Sequence, residues 1–159
     1  MEHSACFIGH REIEDTPELR ERLRRTVLQL IENGTVNFIF GDHSAFNTLC
    51  YETVTALKKE HPAIRRIHFR ISYEDADAYT TQYLLLGFEK SICPEGVGRA
   101  GRASYTERNR AMIRESEVCV FYYDEGGKPS RGTSPKSGTA VAYAYAVRLE
   151  KRIENLCTR

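Results

Sequence analysis

Residues 118–123 read VCVFYY, six apolar or aromatic residues in a row. A strand of this kind has no polar face to turn towards water, so its sheet needs a covering layer on each side. Helices supply such layers when they connect parallel strands, and the rest of the chain has the matching rhythm. Short β-type runs at 4–8 (SACFI), 36–40 (VNFIF), 64–71 (IRRIHFRI) and 88–92 alternate with helical patterns. The expected fold is therefore α/β, a Rossmann-like three-layer sandwich with a mostly parallel sheet. Its 159 residues favour a single domain spanning 1–159.

Helix signals punctuate the pattern. Thr16-Pro17 is a cap followed by a residue suited to the first turn. Leu19, Leu23, Val27, Leu30 and Ile31 recur at helical spacing after it, and Gly34 marks the stop. The RERLRR cluster inside this helix reads as a solvated outer face. Ser44 caps a second helix with Phe46, Leu49, Cys50, Val54 and Leu57 on its buried side. A short helix is expected over 75–85, and another from Ser104, where Ser104-x-x-Glu107 reads as a capping box. Between them, CPEGVGRAGRA (93–103) carries too little apolar surface to pack and reads as a mobile loop. A last helix opens at Ser137, and IENLC (153–157) is an edge strand.

Several function classes recede. Formal net charge is +1, which argues against nucleic acid or a membrane surface as a partner. The N-terminus lacks a signal-peptide core, so a cytoplasmic protein is expected. Five cysteines, none in a Cys-x-x-Cys pair, argue against a disulfide framework or a zinc knuckle; Cys6, Cys50 and Cys119 read as small buried hydrophobes. No metal and no cofactor are expected. Apolar helix faces allow a homodimer as well as a monomer.

In an open α/β sheet, ligands sit beyond the carboxyl ends of the strands. Four segments fall there: Gly9-His10-Arg11, Gly41-Asp42-His43-Ser44, the 93–104 loop and the 124–139 loop. Gly9 and Gly41 would let backbone approach a ligand, or simply make turns. Arg11 could fork a phosphate or pair with Glu14 or Asp15. His10 could serve a ligand or cap a strand end. Asp42 and His43 could act as an acid/base pair, hold a ribose, or shape a turn. Arg108 sits in the first turn of its helix, where a cation opposes the helix dipole; that cost points to a ligand phosphate or carboxylate as its partner. Asn109 could bond a sugar or base, and Tyr105 could pack over the same place. Ser137-Gly138-Thr139 opens a helix with free N–H groups, a seat for an anion or a plain cap.

Read together and in order, CFIGHR, FGDHSAFNTLCYETV, YTERNRAMIRESEVCVFYYDE and SGTAVAYAYA resemble the SLOG superfamily, most of all its small bacterial YpsA/YoqJ-like branch. That superfamily includes the Lonely Guy phosphoribohydrolases, with the pattern E-R-K-x-x-M, a strand, then P-G-G-x-G-T-x-x-E. Glu107-Arg108-Asn109-Arg110-Ala111-Met112 follows the first part, with Asn109 for Lys. The resemblance places Arg108 on a functional arginine and Gly138-Thr139 on the Gly-Thr. It places the catalytic glutamate at Ala142, and the next carboxylate after Thr139 is Glu150. Relatives of the branch commonly carry G-G-A-x-G-F-D in the second motif; here Asn47 stands for the aspartate, and Asp42-His43 are bulkier.

A carboxylate activates water and stabilises a cationic sugar, and alanine does neither. The leading expectation is therefore a protein that binds or senses a nucleotide or nucleotide-derived molecule. The alternative is a phosphoribohydrolase or N-glycosidase with a relocated acid at Asp42, Asp124 or Glu125, with Arg108 assisting. A second alternative, from a DNA-protecting branch of the superfamily, is a DNA-processing adaptor.

Overall fold

A computed structural model describes residues 1–41, 44–71, 87–97, 101–126 and 137–158. In chain order the elements are β1 (Ser4–Gly9), α1 (Pro17–Glu32), β2 (Asn37–Phe40), α2 (Ala45–Lys58), β3 (Arg65–Phe69) and β4 (Lys90–Ile92), followed by α3 (Ser104–Glu115), β5 (Val118–Tyr122), α4 (Gly138–Arg148) and β6 (Arg152–Asn155). The six strands among the described residues run parallel in the order β4-β3-β2-β1-β5-β6. The expected helix over 75–85 and residues Asp42 and His43 lie outside the described residues.

Strand alternation sorts the core into two layers. Ala5 and Phe7 of β1, Phe38 and Phe40 of β2, and Val118 and Val120 of β5 face α1 and α2. Cys6, Ile8, Ile39, Ile67, Cys119 and Phe121 face the other way, onto Met112 and Ile113 of α3 and Ala142 and Ala146 of α4. Val118–Phe121 of the run VCVFYY are thus buried between the two helix layers, while Tyr122 and Tyr123 are half-buried. Phe7, Phe38 and Phe46 are fully buried, each contributing about 2–3 kcal/mol. Cys6, Cys50 and Cys119 are buried and unbridged.

Helix starts follow the caps with one exception. Thr16, Ser44 and Ser137 accept from the N–H of Leu19, Asn47 and Ala140. Ser104 does not cap α3. A single 3₁₀ turn, Gly101–Ala103, runs directly into the helix and makes Ser104 its first residue. Its hydroxyl donates instead to the carbonyls of Gly101 (2.6 Å) and Val97 (3.2 Å), and Glu107 pairs with Arg110 at 3.0 Å rather than closing a box. Where 93–103 is described, it is anchored at Val97, which is 1% exposed and holds that carbonyl in place.

The β3–β4 edge is tied down by Arg66. Its guanidinium reaches Glu89 Oε2 at 2.9 Å, and Lys58 Nζ lies 3.3 Å from Oε1. Partial burial pushes the Glu89 carboxyl up, but the Arg66 hydrogen bonds and charge outweigh it and hold the group below its usual range. No helix among the described residues is long and apolar enough to cross a membrane.

Candidate functional site

The chain steps outwards from β1 through β2, β3 and β4, then returns to the other side of β1 for β5 and β6. That reversal puts a topological switch point between β1 and β5, where open α/β sheets form their ligand crevice. Each helix that precedes a strand here descends from the carboxyl edge, so helix N-termini gather at the same rim.

One cluster forms at the end of β2. Gly41 has no room for a side chain: a Cβ there would lie 2.8 Å from both Arg108 Nε and Met112 Sδ. The close approach that Gly41 permits is thus made by Arg108, which is 3% exposed. Its Cζ sits 5.3 Å from the Tyr105 ring centroid, and its Nη2 donates weakly to Asn109 Oδ1 at 3.5 Å. Tyr105 itself is 58% exposed. The structure therefore brings Gly41, Arg108 and Asn109 together and adds Tyr105, a buried cation under an open aromatic face.

Gly41 is held from both sides. Its N–H donates to Asn47 Oδ1 at 3.1 Å, and the Asn47 amide nitrogen donates to the Phe7 carbonyl at 3.0 Å. On the far side, His68 Nε2 lies 3.1 Å from the Gly41 carbonyl. A carbonyl only accepts, so that nitrogen carries the proton. Asn47, 3% exposed, stitches the ends of β1 and β2 together.

Residues following β1 play different parts. A Cβ on Gly9 would fall 2.5 Å from Phe46 Cγ, so the Phe46 ring occupies the space that glycine leaves. His10 Nε2 accepts from the Asp124 N–H at 3.0 Å, joining the β1 and β5 ends across the switch point. Burial holds the His10 ring below its usual pKa, against a smaller opposite pull from the Asp124 carboxylate. That shift favours the neutral ring, which makes His10 a poor source of positive charge for a phosphate. Arg11 is exposed, and its carbonyl accepts from Ala45 N–H at 2.9 Å. Asp15 is engaged by Arg20 at 2.7 Å, and among the described residues Arg11 forms no ion pair.

Ser137, Gly138 and Thr139 form a second group, at the start of α4. The Ser137 hydroxyl is committed to the Ala140 N–H at 3.0 Å, and the Gly138 and Thr139 N–H groups lie in the first turn, where a helix has no internal acceptor for them. Gly138 faces open space, whereas Thr139 is 7% exposed and turned inwards with Ala142 and Ala146. Ala142 is 2% exposed within the α4–sheet layer.

Sequence reasoning did not find a cavity of about 220 Å³ between α1 and β5, lined by Thr16, Leu19, Arg22, Tyr122 and Leu156 and flanked by Glu14 and Glu18. Two carboxylates against one guanidinium make it a poor phosphate seat. Among the described residues no three His, Cys, Asp or Glu side chains are grouped to hold a metal ion.

No family model matches the chain, and no curated protein matches it. A solved structure of DNA processing protein A from Helicobacter pylori, studied for its single-stranded DNA binding, is similar with a TM-score of 0.57 at 18% identity. The fold is Rossmann-like. The match covers 94% of this chain but 63% of that one, so the chain spans less than two thirds of its neighbour. One expectation needs correcting. Near-neutral net charge had argued against nucleic acid, yet a protein sharing this fold binds single-stranded DNA. Net charge averages over the whole surface and does not report a local site, so that exclusion falls.

Proposed function

We propose that the carboxyl edge of the sheet binds single-stranded nucleic acid by stacking a base on Tyr105 and drawing a phosphate to the Arg108 corner, in a DNA-processing role. The observation that carries this reading is the exposed Tyr105 ring resting against a buried guanidinium. Proteins that hold single strands without sequence preference combine aromatic platforms with cationic grooves, and an aromatic left open to solvent beside a fixed cation meets that need. The fold shared with a single-stranded-DNA-binding protein supports the same choice. So does the sequence resemblance to the SLOG superfamily, to which we assign the chain.

The proposed role is binding rather than cleavage of a glycosidic bond. The position that the resemblance gives to a catalytic glutamate is Ala142, packed against the sheet. A carboxylate there would be buried without a partner rather than presented to a substrate.

Fluorescence anisotropy with a labelled oligothymidylate tests the reading. Wild-type protein should bind the single strand more tightly than the matching duplex. Tyr105→Ala should weaken binding roughly 5- to 160-fold, the worth of one stacked base. Failure of any oligonucleotide to bind at low salt would sink the proposal. A second reading is a free nucleotide or nucleotide derivative, favoured by the open Gly138 turn at the start of α4. It predicts that AMP or ADP-ribose alone raises the melting temperature and displaces the oligonucleotide completely.

A further inference from the structure

The net charge of +1 says nothing of local clustering, and cations gather on the outer face of α3 and α4. Three guanidiniums converge on one phenol. Arg110 Cζ lies 5.4 Å and Arg148 Cζ 5.2 Å from the Tyr145 ring centroid. Arg114 Nη1 donates to the Tyr145 hydroxyl at 3.3 Å. Lys151 Nζ joins the same corner, donating to the carbonyls of Arg114 (3.3 Å) and Ser116 (2.8 Å). Of these four cations Arg110 is paired, with Glu107 at 3.0 Å. Among the described residues no carboxylate pairs Arg114, Arg148 or Lys151. The Arg110 Nε is buried with no hydrogen-bond partner.

Cation–π contacts and one weak phenol hydrogen bond offset part of the repulsion, but they bring no negative charge. A cluster of this kind is stabilised by an external polyanion. Arg110 and Arg114 are one helical turn apart, about 6 Å along the axis, a spacing suited to successive phosphates of an extended strand. Tyr105 and Arg108 head the same helix, Tyr105 about 14 Å along the axis from Arg114 and about half a turn round it, so a strand that joins them crosses over the helix.

We infer that the Arg110–Arg114–Arg148 face around Tyr145 is a phosphate-backbone track that continues the single-strand site round α3 onto its outer face, taking the nucleotides that follow the base stacked at Tyr105. This rests on the single-strand reading above, and its test separates the two. Anisotropy is measured with a long oligothymidylate of about 16 nucleotides and a short one of about 4, the range a compact single-strand site spans. Single-strand contacts contribute a salt exponent of about 0.7 each, so losing two costs about 25-fold in affinity near 0.1 M salt. Arg114→Gln/Arg148→Gln should lose about that factor on the long strand and leave the short strand unchanged. Its log Kd against log salt should flatten by about 1.4. Glu107→Gln frees Arg110 and should tighten the long strand about 5-fold, a gain that no unfolding can mimic. Wild-type Kd and salt slope in both variants on the long strand would overturn the track while leaving the Tyr105 site standing. An equal loss on both lengths would also overturn it. No binding by the wild type would remove both proposals together.

Discussion

Gly9→Ala should lower stability by about 3 kcal/mol, which for a chain of this size is a fall of about 6–12 °C in melting temperature. The reason is steric and local. The added Cβ would stand 2.5 Å from Phe46 Cγ and 2.8 Å from Phe46 Cβ. Phe46 is fully buried and its ring lies tilted against Tyr122 with centroids 5.8 Å apart, so it has little room in which to retreat. Its own backbone is fixed at the start of α2 by the Ser44 cap and by the Ala45-to-Arg11 hydrogen bond. The damage should therefore be coupled to Phe46. In a double-mutant cycle measured by chemical denaturation, Gly9→Ala and Phe46→Ala together should cost at least about 1.5 kcal/mol less than their sum. Strict additivity would show that something other than Phe46 demands glycine here. Were Gly9 instead kept for a ligand, alanine would leave the melting temperature alone and abolish binding. Gly41→Ala makes the contrast. Its Cβ meets the movable ends of Arg108 and Met112, so it should cost under about 1.5 kcal/mol in stability while displacing the Arg108 guanidinium and weakening oligonucleotide binding at least as much as Tyr105→Ala. A Gly41→Ala protein with wild-type affinity would detach Arg108 from the site.

These two glycines mark how far the sequence can be read. Both were visible as strand-terminal glycines at the ligand edge, because a strand pattern followed by Gly and polar residues is a local signal. What each one accommodates was not visible. The partner of Gly9 lies thirty-seven positions on and that of Gly41 sixty-seven, and no local spacing encodes such contacts. The two-layer core was legible for the same local reason, through VCVFYY and the Leu19–Leu30 stripe. Ser104 shows the opposite failure. Its spacing to Glu107 fits a capping box, but the preceding 3₁₀ turn competes for the hydroxyl and wins. The Tyr145 cluster draws on Arg110 and Arg114 from α3 and Arg148 from α4, so each residue alone looks like an ordinary solvated charge. Only the packing of α3 against α4 turns them into one surface. Arg108 was flagged from its misfit with the helix dipole, a physical inconsistency that survives without any structure.

Asn47→Asp should be among the most damaging isosteric changes in the chain, at about 4 kcal/mol near neutral pH. Asn47 stands where the resembling relatives carry aspartate, which makes the exchange look conservative. In this fold it is not. The side chain must accept from the Gly41 N–H and donate to the Phe7 carbonyl, and these two partners fix the amide orientation. A carboxylate keeps the first bond, loses the second, and sets an anionic oxygen against the Phe7 carbonyl at a position 3% exposed. Asn47→Ala removes both bonds without adding charge and should cost less, about 2–3 kcal/mol. The pH dependence separates the causes. Burial and the facing carbonyl raise the folded-state pKa of the introduced carboxyl above its unfolded value of about 3.9. Stability linked to its proton is then fully present below that unfolded value and is lost as pH rises through the folded one. Relative to wild type at each pH, the deficit of the Asn47→Asp protein should shrink by about 2 kcal/mol between pH 7 and pH 3.5, where the protonated acid can donate to Phe7. The deficit of the Asn47→Ala protein should stay constant. A pH-independent Asn47→Asp deficit, measured by urea denaturation at both pH values, would mean that the Phe7 carbonyl is not the group that requires a donor. The consequence reaches the binding edge, because the same amide sets where Gly41 lies and hence where Arg108 rests. An Asn47→Asp protein kept folded by low temperature should bind the single strand more weakly at neutral pH, although residue 47 is buried beneath the proposed site.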